Sequence, residues 1–262
     1  MLEVVDLGDL PKVTFSPDME SPKLQNLKLV VDVARQTSDL AYRAVQEGMK
    51  PFVIGGDCTV TIGVVAGLVR HYDDLGLIYF DGDIDLNTPE TTNSGIFDGM
   101  VIAHITGKGA QELATIGVRY PLLAESNIVL YGYNLRSGWT DQAELALLKQ
   151  SAMMRYPMEE IRGRAIEAAT SALYEMESKV GRFIIHFDVD AISLEDFPAA
   201  DVPHEQGLTF TEAMESLRVF ASSHKFAGLV ITEFNADRDV DGSLAHKLVS
   251  AITSAFHERN VA

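Results

Sequence analysis

Two groups of aspartates come directly after apolar segments that have the length of buried strands. Asp81, Asp83 and Asp85 follow LGLIYF, and Asp188 and Asp190 follow RFIIHF. In an extended chain, residues two apart share a face, so the carboxylates of each group would converge. Converging carboxylates repel one another unless protons or a cation compensate, and oxygen ligands suit hard divalent ions. One D-x-D at a strand end is usually a solvated loop, but two after buried strands predict a pocket for divalent metal.

Three further side chains are candidates for the same pocket. His186 lies two residues before Asp188 and therefore on the same predicted face. Cys58 ends the turn GGDC after PFVI, and Glu233 follows FAGLVIT. A lone cysteine is most often a small buried apolar residue, and a lone glutamate at a strand end is usually a surface group. The residues alone leave both interpretations open for Cys58 and Glu233.

Alternating strands and helices would bring these segments together. Ser21 and Pro22 predict the start of the first helix and Gly48 its end, while Thr209 and Glu212 predict a capping box. Further helices are predicted over residues 59–72, about 158–180 and about 243–256. The predicted strands are PFVIGG, LGLIYF, NIVLYGY, RFIIHF and FAGLVITEF. This alternation predicts a three-layer α/β/α fold with a mostly parallel sheet, in which ligands bind beyond the carboxyl ends of the strands.

Composition bounds the partners and the location of the chain. Its 262 residues, 47% of them hydrophobic, suffice for a single domain over residues 1–262. The formal net charge of −17 argues against nucleic acid as a partner. The single cysteine excludes an intrachain disulfide and agrees with a reducing compartment. No signal peptide is recognisable, and no apolar segment reaches the roughly 20 residues of a membrane helix, so we expect a cytoplasmic protein without membrane contact.

The acid-bearing segments, in this order, resemble the ureohydrolase family, which includes arginase, agmatinase and formiminoglutamase. The resemblance extends from about residue 6 to residue 235. The family motifs G-G-D-H, D-A-H-x-D-x-N-T-P, S-G-x-x-H-G, S-F-D-x-D-x-x-D-P and G-L-T correspond here to residues 55–58, 81–89, 94–99, 186–190 and 207–209. The final D-P of the fourth motif is lost in this chain.

This resemblance implies a metal hydrolase. Family members use two manganese ions to make a hydroxide that attacks a guanidinium carbon, and urea leaves. By resemblance, the metal ligands would be Asp81 and Asp188 bridging both ions, Asp85 and Asp190 completing one site each, and Cys58 and Asp83 at the remaining ligand positions. Asn87 and Ser94 would hold the far end of a small-molecule substrate, and Glu233 would pair with its cationic group. Mn²⁺ is the expected cofactor, as one or two ions, with Mg²⁺ or another divalent ion as an alternative. Family members form trimers or hexamers, which implies a homo-oligomer.

The departures from the family pattern bear on activity. Cys58 and Asp83 stand where the family has ligand histidines, Asp98 stands at the proton-transfer histidine, and the substrate-binding aspartate has no clear match. Added negative charge makes a bound water harder to deprotonate. Three hypotheses remain open: a hydrolase of guanidino or amidino compounds, a non-catalytic protein that binds a ligand or a partner subunit, and a hydrolase whose acid/base group is now Asp98 or His186.

Overall fold

The computed structural model describes residues 4–138, 140 and 142–257, and its centre is a parallel β-sheet. Within these residues the sheet has six strands in the order β1-β6-β5-β2-β3-β4, and every neighbouring pair is parallel. The expected parallel sheet is therefore confirmed. The strands are β1 Phe52–Ile54, β2 Leu75–Phe80, β3 Ile128–Tyr131, β4 Met154–Tyr156, β5 Arg182–Asp188 and β6 Phe226–Thr232.

Helices cover both faces of this sheet. Side chains of the central strand β2 alternate between two apolar clusters: Leu77 and Tyr79 pack with α1, α2 and α3 on one face, whereas Ile78 and Phe80 pack with α7, α8 and α9 on the other. The three-layer prediction is thus confirmed. No helix of the described residues is long and apolar enough to cross a membrane. The described α-helices are α1 Leu27–Gln46, α2 Val60–Leu68, α3 Val101–Ile105, α4 Gln111–Ala114, α5 Gln142–Gln150, α6 Met158–Ile161, α7 Ala165–Lys179, α8 Phe210–Ser222 and α9 Ser243–His257.

The register of the central strands fixes where the acidic segments begin. Phe80 of β2 pairs with Phe187 of β5, so the two strands end side by side. Asp188 in turn pairs with Thr232 at the end of β6. The groups that follow β2, β5 and β6 therefore start at one edge of the sheet, as the sequence predicted.

Two predicted helix boundaries were wrong. The first helix begins at Leu27 and not after Ser21, because Asn26 adopts the left-handed conformation (φ 57°), which a right-handed helix cannot include. The helix predicted over residues 158–180 is two helices, and the break contains Gly163 at φ 77°. The capping box of Thr209 and Glu212 at the start of α8 is confirmed.

Buried His104 at α3 leads to a prediction on stability. Its Nδ1 lies 2.8 Å from the carbonyl oxygen of Met100, and its Nε2 accepts a hydrogen bond of 2.9 Å from the amide of Ala110. Burial lowers the pKa of His104 to about 4 from an ordinary value of 6.5. The unfolded chain therefore takes up this proton first as the pH falls, so the contribution of His104 to stability is complete above pH 6.5 and is lost towards pH 4.

We expect this loss to amount to about 3 kcal/mol between pH 7 and pH 4. The variant His104→Gln keeps a hydrogen-bond acceptor but cannot take up the proton. Urea unfolding of both proteins at pH 7 and pH 4 should show a smaller fall in the free energy of unfolding for the variant. Equal falls in the two proteins would contradict the prediction.

Candidate metal centre

The predicted site residues follow four adjacent strands of the sheet. Cys58 comes after β1, Glu233 after β6, Asp188 ends β5 and Asp81 follows β2, and these strands are neighbours in the order β1-β6-β5-β2. One ligand atom each of Cys58, Asp81, His186 and Asp188 lies within 4.8 Å of the others, and all four side chains are buried. We call these four residues the first cluster. The predicted convergence of Asp81 and Asp188 is observed, at a distance that a metal pair could bridge.

Three hydrogen bonds reach the carboxylate of Asp188 in the first cluster. The Cys58 thiol donates to its Oδ2 at 2.7 Å, and the hydroxyl of Thr232 donates to the same oxygen at 2.9 Å. The amide of Asp190 donates to its Oδ1 at 2.8 Å. Burial, and then the nearby charge of Asp188, raise the pKa of the Cys58 thiol well above its usual value. Without a cation, Cys58 is therefore a neutral donor to the carboxylate.

His186 gives the first cluster a neutral imidazole. Its Nε2 lies 3.2 Å from Oδ2 of Asp81, and its Nδ1 lies 2.7 Å from the hydroxyl oxygen of Thr61. The ring stacks on Tyr79 at a centroid distance of 4.1 Å. Burial lowers the pKa of His186 to about 4, so the ring is uncharged at neutral pH. A neutral imidazole that is held in this way can ligate a metal ion or accept a proton.

A second cluster adjoins the first and consists of Asp83, Asp190 and His204. One ligand atom of each lies within 4.8 Å of the others. Nε2 of His204 is 3.2 Å from Oδ2 of Asp83 and 3.5 Å from Oδ2 of Asp190. The sequence did not indicate His204, because it lies in an irregular loop and not at the end of a strand.

Asp98 and Glu233 form a third group together with Cys58. One ligand atom each of Cys58, Asp98 and Glu233 lies within 4.8 Å of the others. Oδ1 of Asp98 accepts a hydrogen bond of 2.7 Å from the backbone amide of Cys58. Burial, followed by the charge of Asp98, raises the pKa of Glu233 to about 10. Both predicted catalytic carboxyl groups are thus placed beside the first cluster.

Asp85 belongs to none of these three groups of ligand atoms, and its backbone adopts a strained conformation. The Tyr79 hydroxyl donates to its carboxylate, and its side chain is buried. Burial, and then the charge of Asp81, raise the pKa of Asp85 well above its usual value. Asp85 and Glu233 have positive φ angles, 52° and 62°, that non-glycine residues rarely adopt. Such strain persists when the surrounding structure demands it and is common at functional sites.

Among the ion pairs of the described residues, none brings a lysine or an arginine to the negative charge of the pocket. The ion pairs at the two clusters involve only His186 and His204. Burial raises the pKa of Asp81 to about 7, with Asp83 as the next cause, and the pKa of Asp188 to about 6, with Asp81 as the next cause. A divalent cation that bound to these buried carboxyl groups would displace their protons. The donor set therefore fits divalent metal.

Asn87 and Ser94 have their side-chain partners in the loop after β2. Oδ1 of Asn87 accepts from the hydroxyl of Thr91 at 2.9 Å. Oγ of Ser94 accepts from the amide of Ile96 at 3.2 Å and lies 3.4 Å from the hydroxyl of Thr92. Their role in holding a substrate stays a prediction.

Comparisons with known proteins indicate one family and one fold. The sequence model of the arginase family matches residues 1–257. An arginase of Bacillus caldovelox is 30% identical over 98% of this chain and 86% of its own length, and an arginase of Bacillus subtilis is 31% identical over 82% of this chain and 72% of its own length. The solved structure of the arginase from Bacillus caldovelox superposes with a TM-score of 0.89 at 28% identity, covering 96% of this chain and 84% of the other.

Proposed function

The chain belongs to the arginase family, and from that premise we propose that it is a divalent-metal-dependent hydrolase of a C–N bond in a small guanidino or amidino compound. We further propose that residues 1–262 form one ureohydrolase-like domain. The observation that carries the proposal is the pair of adjoining clusters at the carboxyl ends of the strands. They gather four aspartates, two imidazoles and a thiol in a buried setting without a balancing lysine or arginine among the described ion pairs.

The residues around the clusters suit hydrolysis. When bound, metal ions supply the positive charge that makes water nucleophilic near neutral pH. Glu233 carries its proton in the absence of cations, and a bound cationic substrate would favour its carboxylate form. Water adds to the substrate's central carbon and gives up one proton to a carboxylate of the pocket, the C–N bond breaks, and the leaving nitrogen takes a proton. We assign that donation to Asp98, whose pKa is raised by burial and then by the charge of Asp57.

The proposal is tested by metal loading followed by a substrate screen. Calorimetry should detect binding of Mn²⁺ to the metal-free protein. The loaded protein should then release urea, ammonia or amine from at least one member of a panel of guanidino and amidino compounds. Absence of a binding signal at millimolar Mn²⁺, with circular dichroism showing a folded protein, would refute the metal-dependent function.

Arginine itself is expected to be a poor substrate. Cys58, Asp83 and Asp98 stand at three family histidine positions, and the family's substrate-binding aspartate has no clear match. We therefore expect little or no urea from arginine in a colorimetric assay of the Mn²⁺-loaded protein. Turnover of arginine at an ordinary enzymatic rate of about 1–10³ s⁻¹ would contradict this prediction.

A non-catalytic role as a ligand-binding or partner subunit is the second candidate. It is favoured by the hydrogen bonds that occupy the key groups, since Asp98 accepts from the Cys58 amide and Asp188 accepts from the Cys58 thiol. Under this alternative, the protein would bind a guanidino or amidino compound in calorimetry without converting it.

The identity of the metal, the oligomeric state and the location are proposed from the resemblance and from residue chemistry. We propose Mn²⁺ or Mg²⁺ before Zn²⁺ because carboxylate oxygens dominate the donors. We propose a homo-oligomer, trimeric or hexameric, which sedimentation would test. A cytoplasmic location is proposed because the pocket contains a free thiol, Cys58, that a reducing compartment would preserve.

A further inference from the structure

We propose that His204 is a metal ligand, and that with Asp83 and Asp190 it forms the second of two metal subsites. The inference rests on the proposed metal-dependent function and deepens it. No strand ends at His204, which lies in the loop between β5 and α8. One ligand of this subsite therefore comes from a loop and not from the acidic segments that follow the strands.

The first support is the state of the His204 side chain. Its residue is only 5% exposed, and its buried Nε2 makes no hydrogen bond of regular geometry with the described residues. That nitrogen is nevertheless 3.2 Å from Oδ2 of Asp83 and 3.5 Å from Oδ2 of Asp190. A buried polar atom without a hydrogen bond is costly, and it is aimed here between two carboxylate oxygens. A cation bound by all three atoms would remove that cost.

The second support is the orientation of the two carboxylates. Oδ1 of Asp83 accepts from the hydroxyl of Ser137 at 3.0 Å. Oδ1 of Asp190 accepts from the amide of Gly82 at 3.0 Å. Both carboxylates therefore use one oxygen for an outer contact and present the other towards His204. Hydrogen bonds that orient ligands in this way are a regular feature of metal sites.

The third support is the space that Gly82 leaves for the ring. A Cβ at Gly82 would lie 2.8 Å from Cδ2 of His204 and 2.9 Å from Oδ1 of Asp190. The motif that this segment resembles has alanine and histidine where this chain has Gly82 and Asp83. The glycine admits the His204 ring, and that ring supplies an imidazole beside the position where the motif's histidine became aspartate. The three residues are therefore consistent with relocation of one imidazole ligand from position 83 to position 204.

Hydrogen bonds to its backbone carbonyl groups hold the loop that carries His204 in place. The amide of Leu194 donates to the carbonyl of His204 at 2.8 Å. The side-chain amide of Asn134 donates to the carbonyl of Gln206 at 3.1 Å. The imidazole is thus positioned before any metal arrives, which lowers the entropic cost of binding.

The test uses the full chain and Mn²⁺ alone as the probe. Calorimetry should give two ions per parent chain, and His204→Gln should bind one of them at least about tenfold more weakly. Gly82→Ala should weaken the same ion, because the added methyl group displaces the ring. The control His224→Gln alters an exposed histidine near the amino end of β6, away from the pocket edge, and should bind both ions like the parent.

The outcomes separate this inference from the proposed function. If the parent binds Mn²⁺ and His204→Gln binds it with the same stoichiometry and affinities, His204 is not a ligand and the proposed function stands. If the parent binds no Mn²⁺, the proposed function itself fails. If a variant does not fold, the parent protein can be tested by NMR. The ¹⁵N signal of His204 Nε2 should shift on saturation with diamagnetic Zn²⁺, and an unchanged signal would overturn the inference.

Discussion

Replacing Asp188 by asparagine is expected to lower the affinity for Mn²⁺ by at least about 100-fold. Asp188 is fully buried, and its carboxylate lies in the first cluster and bonds to Asp190 of the second. Its charge, like that of Asp81, is therefore close to both proposed subsites. Asparagine keeps the shape and one acceptor oxygen but removes the charge that a divalent ion requires.

The metal-free Asp188→Asn variant is expected to be at least as stable as the parent at pH 7.5. Burial, with the charge of Asp81 as the next cause, raises the pKa of Asp188 to about 6, so its ionisation above pH 6 opposes folding in the absence of a cation. Mn²⁺ at 100 times the parent's dissociation constant would stabilise the parent by about 2.7 kcal/mol and the variant, with its 100-fold lower affinity, by at most about 0.4 kcal/mol. Thermal unfolding with and without Mn²⁺ measures both effects.

The exposed residue Asp237 provides the matched control for this experiment. Asp237→Asn makes the same chemical change beyond the end of β6, at an exposed position. It should keep the parent's affinity for Mn²⁺ and its thermal shift. An Asp188→Asn variant that retains the parent's affinity would show that the first cluster does not hold the metal.

The convergence of the acidic segments was predictable because parallel strands impose it. LGLIYF and RFIIHF are too apolar for any position but the centre of a sheet, and central parallel strands end at a common edge. Once Phe80 and Phe187 pair, Asp81 and Asp188 must be neighbours. Period-2 alternation likewise put His186 on the face of Asp188, and the structure brings its Nε2 to 3.2 Å from Oδ2 of Asp81. The convergence of these side chains could therefore be predicted from local strand patterns, without knowledge of the loops.

The second cluster was not predictable by the same means. His204 follows a proline in an irregular segment, so neither strand nor helix periodicity assigns its side chain to a face. The hydroxyl of Ser137, which donates to Asp83, comes from a segment that carries no acidic pattern, and the same holds for Thr61, which contacts His186 of the first cluster. Their roles depend on long-range packing. Gly82 was the available signal, since a glycine beside a converging pair of aspartates indicates that another group needs the space.

The final prediction concerns whether the pocket can be returned to the family pattern. Cys58→His together with Asp83→His would restore histidines at both family ligand positions. In a dormant pocket this change should strengthen binding of Mn²⁺. The structure favours the opposite result for position 83, because Oδ2 of Asp83 is only 3.2 Å from Nε2 of His204 and a second imidazole would crowd the first. Position 58 is also confined, since the Cys58 sulfur is 2.7 Å from Oδ2 of Asp188.

We therefore expect the double variant to bind Mn²⁺ at least about tenfold more weakly than the parent, which is about 1.4 kcal/mol. Asp83→His should weaken Mn²⁺ binding when His204 is present. In the background His204→Ala with Gly82→Ala, which removes the ring and restores the motif's alanine, Asp83→His should strengthen Mn²⁺ binding. Residues in contact give such non-additive effects, and a double-mutant cycle measures them. Calorimetric titration of the four combinations would show a coupling that changes the sign of the effect of Asp83→His. Tighter binding by the double variant, or an effect of Asp83→His that does not depend on residue 204, would mean that the pocket is dormant and not rebuilt around a relocated imidazole.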